Sequence, residues 1–351
     1  MRKISELSKE EEQRALDIHR RAIFINCQDS SGPIEWTEAY VAKLKRGGVT
    51  VENICSTAPS IYIGFAETVR RICDRYDFLT RLGDKLTHVV TVKEIEAAKK
   101  NGKLAIILGT QNAETIEDDV RLLGPLQKLG VRIIQLTYQR RNFIGDGCGE
   151  KGDAGLSDFG VQVVEQMNKL GLVIDLSHVG RRTTLDVMKV TKDPVIFSHS
   201  NSRKVSDTVR NITDEQIKSL AAVGGVMGIS QCPPHVRMPP PRTTVEEYLN
   251  HVDYVVDLVG VDHVGIGLDN DEGFWGGIGV EDSRKHFEES KILHPEIWGT
   301  TTWDCGTTQG LEVDNLANIT RGLVARGYSD QEIEKVLGGN FLRVFKRVWG
   351  S

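Results

Sequence analysis

Apolar and polar positions along this chain follow two different periods. Runs rich in Ile and Val, with no helical spacing, occupy 22–27, 49–56, 104–109, 131–138, 172–178, 194–199, 224–230 and 262–269. Continuous apolar runs of this length are expected of strands buried on both faces. Between most of them, apolar residues recur three and four apart. That spacing predicts helices over 8–21, 61–80, 92–101, 116–129, 157–170, 244–259, 314–326 and 330–347. Local punctuation agrees. Ser157 is placed to cap one helix and Gly171 to stop it, and Thr213-Asp-Glu-Gln216 is a capping box that opens another. Eight strands alternating with helices, joined by right-handed crossovers, favour an α/β fold of the (β/α)8 TIM-barrel class. A doubly wound open sheet is the alternative, but no Gly-rich phosphate fingerprint follows the first strand. The whole chain, 1–351, is expected to form a single barrel domain.

The ends of these strands carry the candidate chemistry. Leu172-Val-Ile-Asp-Leu-Ser-His178 and Pro194-Val-Ile-Phe-Ser-His199 each finish in Ser-His. The segment between them, 179–193, is long enough for a crossover helix, so the two strands can be neighbours. Two imidazoles delivered at equivalent ends of adjacent parallel strands converge on one point, and a metal ion is the usual reason. The competing reading is a pair of core histidines bonded to backbone. Asp29, Gln111 and Asp269 fall at the same ends of other strands, which packing alone does not explain. A glycine-rich loop at 145–152 is placed to lie over the mouth of the site.

Composition narrows the picture further. The chain has 351 residues, is 39% hydrophobic and 26% charged, and carries a net charge of −5. It has no basic run, so nucleic acid is not an expected partner. The polar N-terminus lacks a secretory apolar core, and no stretch is long enough to span a membrane, so no membrane partner is expected. Six scattered cysteines without a Cys-x-x-Cys pair point to free thiols and a cytoplasmic setting.

Gly171-Leu-Val-Ile-Asp-Leu-Ser-His178, Ser198-His-Ser-Asn201, Val209-Arg-Asn-Ile-Thr-Asp214, Gly265-Ile-Gly-Leu-Asp269 and Gly338-Gly-Asn-Phe-Leu-Arg343 together resemble the renal (membrane) dipeptidase family. This is a family of zinc peptidases among the amidohydrolase-type barrels, and the likeness covers nearly the whole chain. The resemblance implies hydrolysis of dipeptides and related amides at a two-zinc centre, often in a homodimer. It assigns the two histidines of one metal to His178 and His199, and the proton-handling aspartate to Asp269. Arg210, with Asn211 beside it, matches the segment that holds the carboxylate of a small-molecule substrate.

The sequence departs from the family where ligands should be. Cys27-Gln28-Asp29 stands in place of a His-x-Asp pair, Gln111 in place of the bridging carboxylate, and Tyr138 in place of a histidine that contacts substrate. A bridging carboxylate offers two anionic oxygens, whereas Gln111 offers one neutral oxygen and an amide nitrogen. A single zinc per chain is therefore the expectation. His178 and His199 would hold it, with a further ligand from Gln111, Cys27 or Asp269, and with Asp29 nearby. The expected activity is hydrolysis of a carboxylated amide. The alternatives are a metal-dependent lyase or decarboxylase acting on a non-peptide carboxylate, and an inactive dipeptidase homologue. Trp275, Trp298 and Trp303 in the long loop 270–310 suit either a ligand pocket or a dimer contact.

Overall fold

The computed structural model describes residues 2–56, 63–238, 242–271 and 307–350, with isolated positions between 288 and 295. Trp275, Trp298 and Trp303 lie outside the described residues. Among the described residues nine parallel strands form one sheet. They are β1 (Ile25–Asp29), β2 (Val51–Cys55), β3 (Leu86–His88), β4 (Leu104–Thr110), β5 (Val131–Gln135), β6 (Val173–Asp175), β7 (Ile196–Phe197), β8 (Val226–Ile229) and β9 (Val264–Ile266). Eight of them run in the order β1-β2-β4-β5-β6-β7-β8-β9. The ring is drawn together just past β9, where Ser30 N–H donates to the Asn270 carbonyl at 2.7 Å and Leu268 N–H donates to Asn26 Oδ1 at 2.7 Å. This is the barrel expected from the alternation of strands and helices.

Side-chain alternation sorts the core into two layers. Leu104, Ile106 and Leu108 of β4 face the surrounding helices, while Ala105 and Ile107 face the barrel interior with Ile25, Val51, Val173 and Val226. The C-terminal helix Asn340–Trp349 adds Phe341, Val344 and Phe345 to that interior cluster. Asn340 Nδ2 donates to the carbonyls of Val261 and Val264, and Arg343 donates to those of Gly224 and Asp262. These carbonyls lie at strand beginnings, so the helix covers the N-terminal mouth. The C-terminal mouth is left for chemistry.

The helix Asp158–Leu170 is capped by Ser157 and stopped by Gly171 at φ 65°, and Thr213 and Gln216 form their capping box, all as expected. Four elements differ, the first being the helix expected over 116–129, which resolves into 3₁₀ turns at Ala113–Ile116 and Val120–Leu122 and a short α-helix Leu123–Lys128. β3 was not expected, because three residues make no apolar run. It pairs with Leu104–Ile106 of β4, below the point where β5 takes over. Residues 38–46, expected as part of a polar connection, form a helix capped by Thr37 that buries Tyr40, Val41 and Leu44. The last predicted helix is broken at Gly338–Gly339, where a Cβ on Gly338 would collide with the Ile23 carbonyl. Among the described residues no helix is long and apolar enough to cross a membrane.

Candidate metal and substrate site

The chain leaves β6 through Asp175 and turns sharply at His178, which takes a left-handed φ of 64°. Asp175 organises both strand ends. One of its oxygens accepts from Ser177 N–H at 3.0 Å and Ser198 N–H at 2.9 Å, and the other accepts from Ser198 Oγ at 2.5 Å. Ser198 Oγ, its proton given to Asp175, lies 2.6 Å from His199 Nδ1. His199 therefore donates from Nδ1 and presents the lone pair of Nε2 to the mouth. His178 Nε2 lies 2.9 Å from that nitrogen. Tyr138 stacks on the His178 ring with centroids 4.1 Å apart. Burial, followed by the charge of Arg210, pushes the His199 imidazole well below its usual pKa, which keeps it neutral and able to ligate.

Gln111, just past the end of β4, meets the same two nitrogens. Its Nε2 lies 3.1 Å from His199 Nε2 and 3.4 Å from His178 Nε2. A half-turn of the amide would present Oε1 to them instead. Asp269 follows β9 with φ 61°, also left-handed, and its Oδ1 is 3.9 Å from His199 Nε2. Strain at a non-glycine residue is tolerated where the surrounding structure fixes it, commonly at functional positions. Asp269 keeps 18% of its side chain exposed. Burial raises its carboxyl to about 6, against the opposing pull of Arg210.

Arg210 is 1% exposed, donating from Nη1 to Ser200 Oγ at 2.9 Å and from Nη2 to the His199 carbonyl at 2.5 Å. The acids near it in sequence are engaged elsewhere. Asp207 pairs with Arg203, and Asp214 accepts from Tyr254. Among the described residues Nε of Arg210 has no partner. Asn211 is turned away from the histidines. Its Nδ2 donates to the Ser206 and His235 carbonyls, both at 2.8 Å.

The β1 side is built differently. Cys27 is fully buried in the apolar interior, and burial raises its thiol well above the usual range. Asp29 is also buried. One of its oxygens accepts from Ser31 N–H at 2.8 Å and the other from Tyr40 OH at 2.6 Å. Gln28 Nε2 donates to Ser30 Oγ at 2.9 Å, and Ser30 Oγ donates to Gln111 Oε1 at 3.4 Å. A chain of neutral amides and hydroxyls thus runs from β1 to Gln111.

One cluster escaped the sequence. Cys232, His235 and Asp269 bring a sulfur, an imidazole nitrogen and a carboxylate oxygen within 4.8 Å of one another. The available signal was Ser230-Gln-Cys-Pro-Pro-His235 at a strand end, which repeats the placement of the two Ser-His pairs.

Comparison with known proteins agrees with the fold and with the family resemblance. Residues 17–292 match the family model of membrane dipeptidase, peptidase family M19. An uncharacterized dipeptidase of Schizosaccharomyces pombe is 29% identical over 88% of this chain and 71% of its own length. Dipeptidase verJ of Clonostachys rogersoniana is 30% identical over 82% of this chain and 66% of its own length. Dipeptidase 3 of Mus musculus is 28% identical, and the match spans only 52% of it. An amidohydrolase from Pseudomonas aeruginosa superposes with a TM-score of 0.85 at 30% identity, covering 96% of this chain and 99% of that one. A metallo peptidase from Rhodobacter sphaeroides, at 19% identity over 93% of this chain and all of its own, has a TM-score of 0.76 and shares the fold. The chain belongs to the membrane dipeptidase family, peptidase family M19, a family of metal-dependent hydrolases.

Proposed function

We propose that this chain hydrolyses a small amide or peptide that carries a free carboxylate. It would use one zinc at the place where its family is expected to hold two, within one barrel domain spanning 1–351. The observation that carries this is Arg210, buried beside His199 with no carboxylate partner among the described residues. Asp269 and Asp175 reach this guanidinium only through their field, and a substrate carboxylate would supply a directly paired charge through bidentate hydrogen bonds.

The donor set fits one zinc. His178 and His199 offer facing ring nitrogens, and Asp269 or the Gln111 oxygen can add a third ligand. It is poorly suited to two closely spaced cations, because Gln111 is neutral and Cys27, where an imidazole would stand, is a thiol that burial keeps protonated. Zinc held there would polarise the scissile carbonyl and acidify water. The remaining work falls to the chain. Arg210 anchors the substrate carboxylate and fixes which bond faces the histidines. Asp269 takes a proton from the attacking water and returns it to the leaving amine, a task suited to a carboxyl raised to about 6. Tyr138, stacked on His178, keeps that ring from rotating away.

Arg210→Lys keeps the charge and loses the planar fork. A hydrogen bond to a charged group contributes about 1.5–3 kcal/mol, so KM for free dipeptides should rise roughly 10- to 100-fold. Amidated dipeptides should be poor substrates for the unmodified chain and nearly indifferent to the substitution. Equal turnover of free and amidated peptides would refute the assignment. Release of carbon dioxide from a non-peptide acid, with no dipeptide cleaved, would establish the lyase alternative.

A further inference from the structure

We propose that Cys232, His235 and Asp269 form a second metal site, separate from the two-histidine position and suited to a divalent ion of the zinc class. The three donors are a thiol, an imidazole and a carboxylate, with ligand atoms inside 4.8 Å. Zinc, with bonds of about 2.0–2.3 Å, sets its ligand atoms roughly 3.3–3.8 Å apart, a contraction that side-chain rotation can supply.

The surroundings hold these donors in place. Pro233 and Pro234 open a single rigid turn, in which Cys232 C=O accepts from His235 N–H at 2.8 Å. Ser230 Oγ lies 3.0 Å from His235 Nδ1 and accepts from Cys232 N–H at 3.1 Å, so one hydroxyl orients both residues. The His235 carbonyl is held by Asn211 Nδ2. Gln231 Nε2 donates to Asn270 Oδ1 at 2.8 Å, which locks the end of β8 against the end of β9, where Asp269 sits. Outer partners of this kind fix ring orientation and tautomer at metal sites. A cavity of about 160 Å³ opens beside the cluster, between Gln231, Cys232, Asp269 and Leu311, with room for a water or a small ligand in the fourth position.

The field of Arg210 reaches both His235 and Asp269 and opposes a cation there. A divalent ion held there requires the two negative charges that a thiolate and a carboxylate bring. Binding would release the Cys232 proton to solvent. The chain would then hold two ions, with one Asp269 oxygen given to the second and the other left to handle the proton near His199.

Cobalt(II) added to the whole, metal-stripped chain tests this, because a thiolate ligand gives a charge-transfer band in the near ultraviolet that imidazole and carboxylate ligands do not. The band should appear in the unmodified chain, persist in His178→Asn/His199→Asn, and vanish in Cys232→Ser and His235→Gln. Zinc content should fall from about two ions per chain to about one in each of these variants. Absence of the band from the unmodified chain would overturn the proposal. So would its survival in Cys232→Ser, which would assign it to another thiol, or its loss from the folded His178→Asn/His199→Asn variant, which would make the two sites one. If that double variant kept both the band and its full zinc content, the two-histidine site would fail and the Cys232 site would stand.

Discussion

At the ends of β6 and β7, two imidazole nitrogens face each other at 2.9 Å beside a buried guanidinium. Across the same mouth, past the ends of β1 and β4, the equivalent depth is filled by Gln28, Ser30 and Gln111, whose amides and hydroxyl bond one another. Both halves hang on the same parallel ring, and both place their polar groups at strand C-termini. They differ in what those groups can hold. The first half offers neutral nitrogen lone pairs. The second has Cys27 sealed in the apolar interior, and the Asp29 carboxylate at the end of β1 is bound by Tyr40 and Ser31. The barrel therefore positions donors without deciding which ligand they take, and the capacity for metal follows the side chains.

The largest expected effect comes from converting the second half into a likeness of the first. Cys27→His with Gln111→Glu supplies an imidazole beside Asp29 and a carboxylate able to bridge two cations. Zinc content should rise by about one ion per chain, and dipeptide turnover should rise with it. A folded double variant with no added metal would show that Tyr40 and Ser31 hold Asp29 too firmly for it to serve as a ligand.

A smaller effect separates the halves by their response to one substitution. His178→Asn and Asp29→Asn each introduce an amide; Asn tolerates the left-handed backbone at 178 and roughly matches Asp in size at 29. His178→Asn should lose the ion at the two-histidine position, lower the melting temperature of the zinc-loaded chain by the binding energy lost, and leave that of the metal-stripped chain nearly unchanged. Asp29→Asn should keep that ion and shift stability by no more than about 1 kcal/mol, because Oδ1 can still accept from Ser31 and Nδ2 can donate to Tyr40. Loss of zinc from Asp29→Asn would place Asp29 among the ligands and dissolve the contrast between the halves.

Much of this was legible in the chain, and the gaps have physical reasons. The long buried strands announce themselves as Ile/Val runs, and Ser157, Gly171 and Thr213 mark helix ends because capping is local chemistry. His178, His199 and Asp269 could be placed because each closes such a run. β3 could not, since Leu86–His88 is held by the edge of β4 rather than by its own pattern. The partnership of Asp29 with Tyr40 depends on a helix that its sequence masks as a polar linker. The cluster of Cys232 and His235 with Asp269 depends on the closure of β8 onto β9, and no spacing along the chain encodes that contact.

The contrast between the halves is tested most directly by a zinc anomalous difference map from crystals of the unmodified, zinc-loaded chain. At the dipeptidase position one peak is expected, between His178 Nε2 and His199 Nε2 and within reach of Gln111, with no second ion beside Cys27 and Asp29; the site proposed among Cys232, His235 and Asp269 would add its own peak there. A second strong peak on the Asp29 side, about 3.5–4 Å from the first as in two-metal centres, would contradict the single-ion assignment at the dipeptidase position.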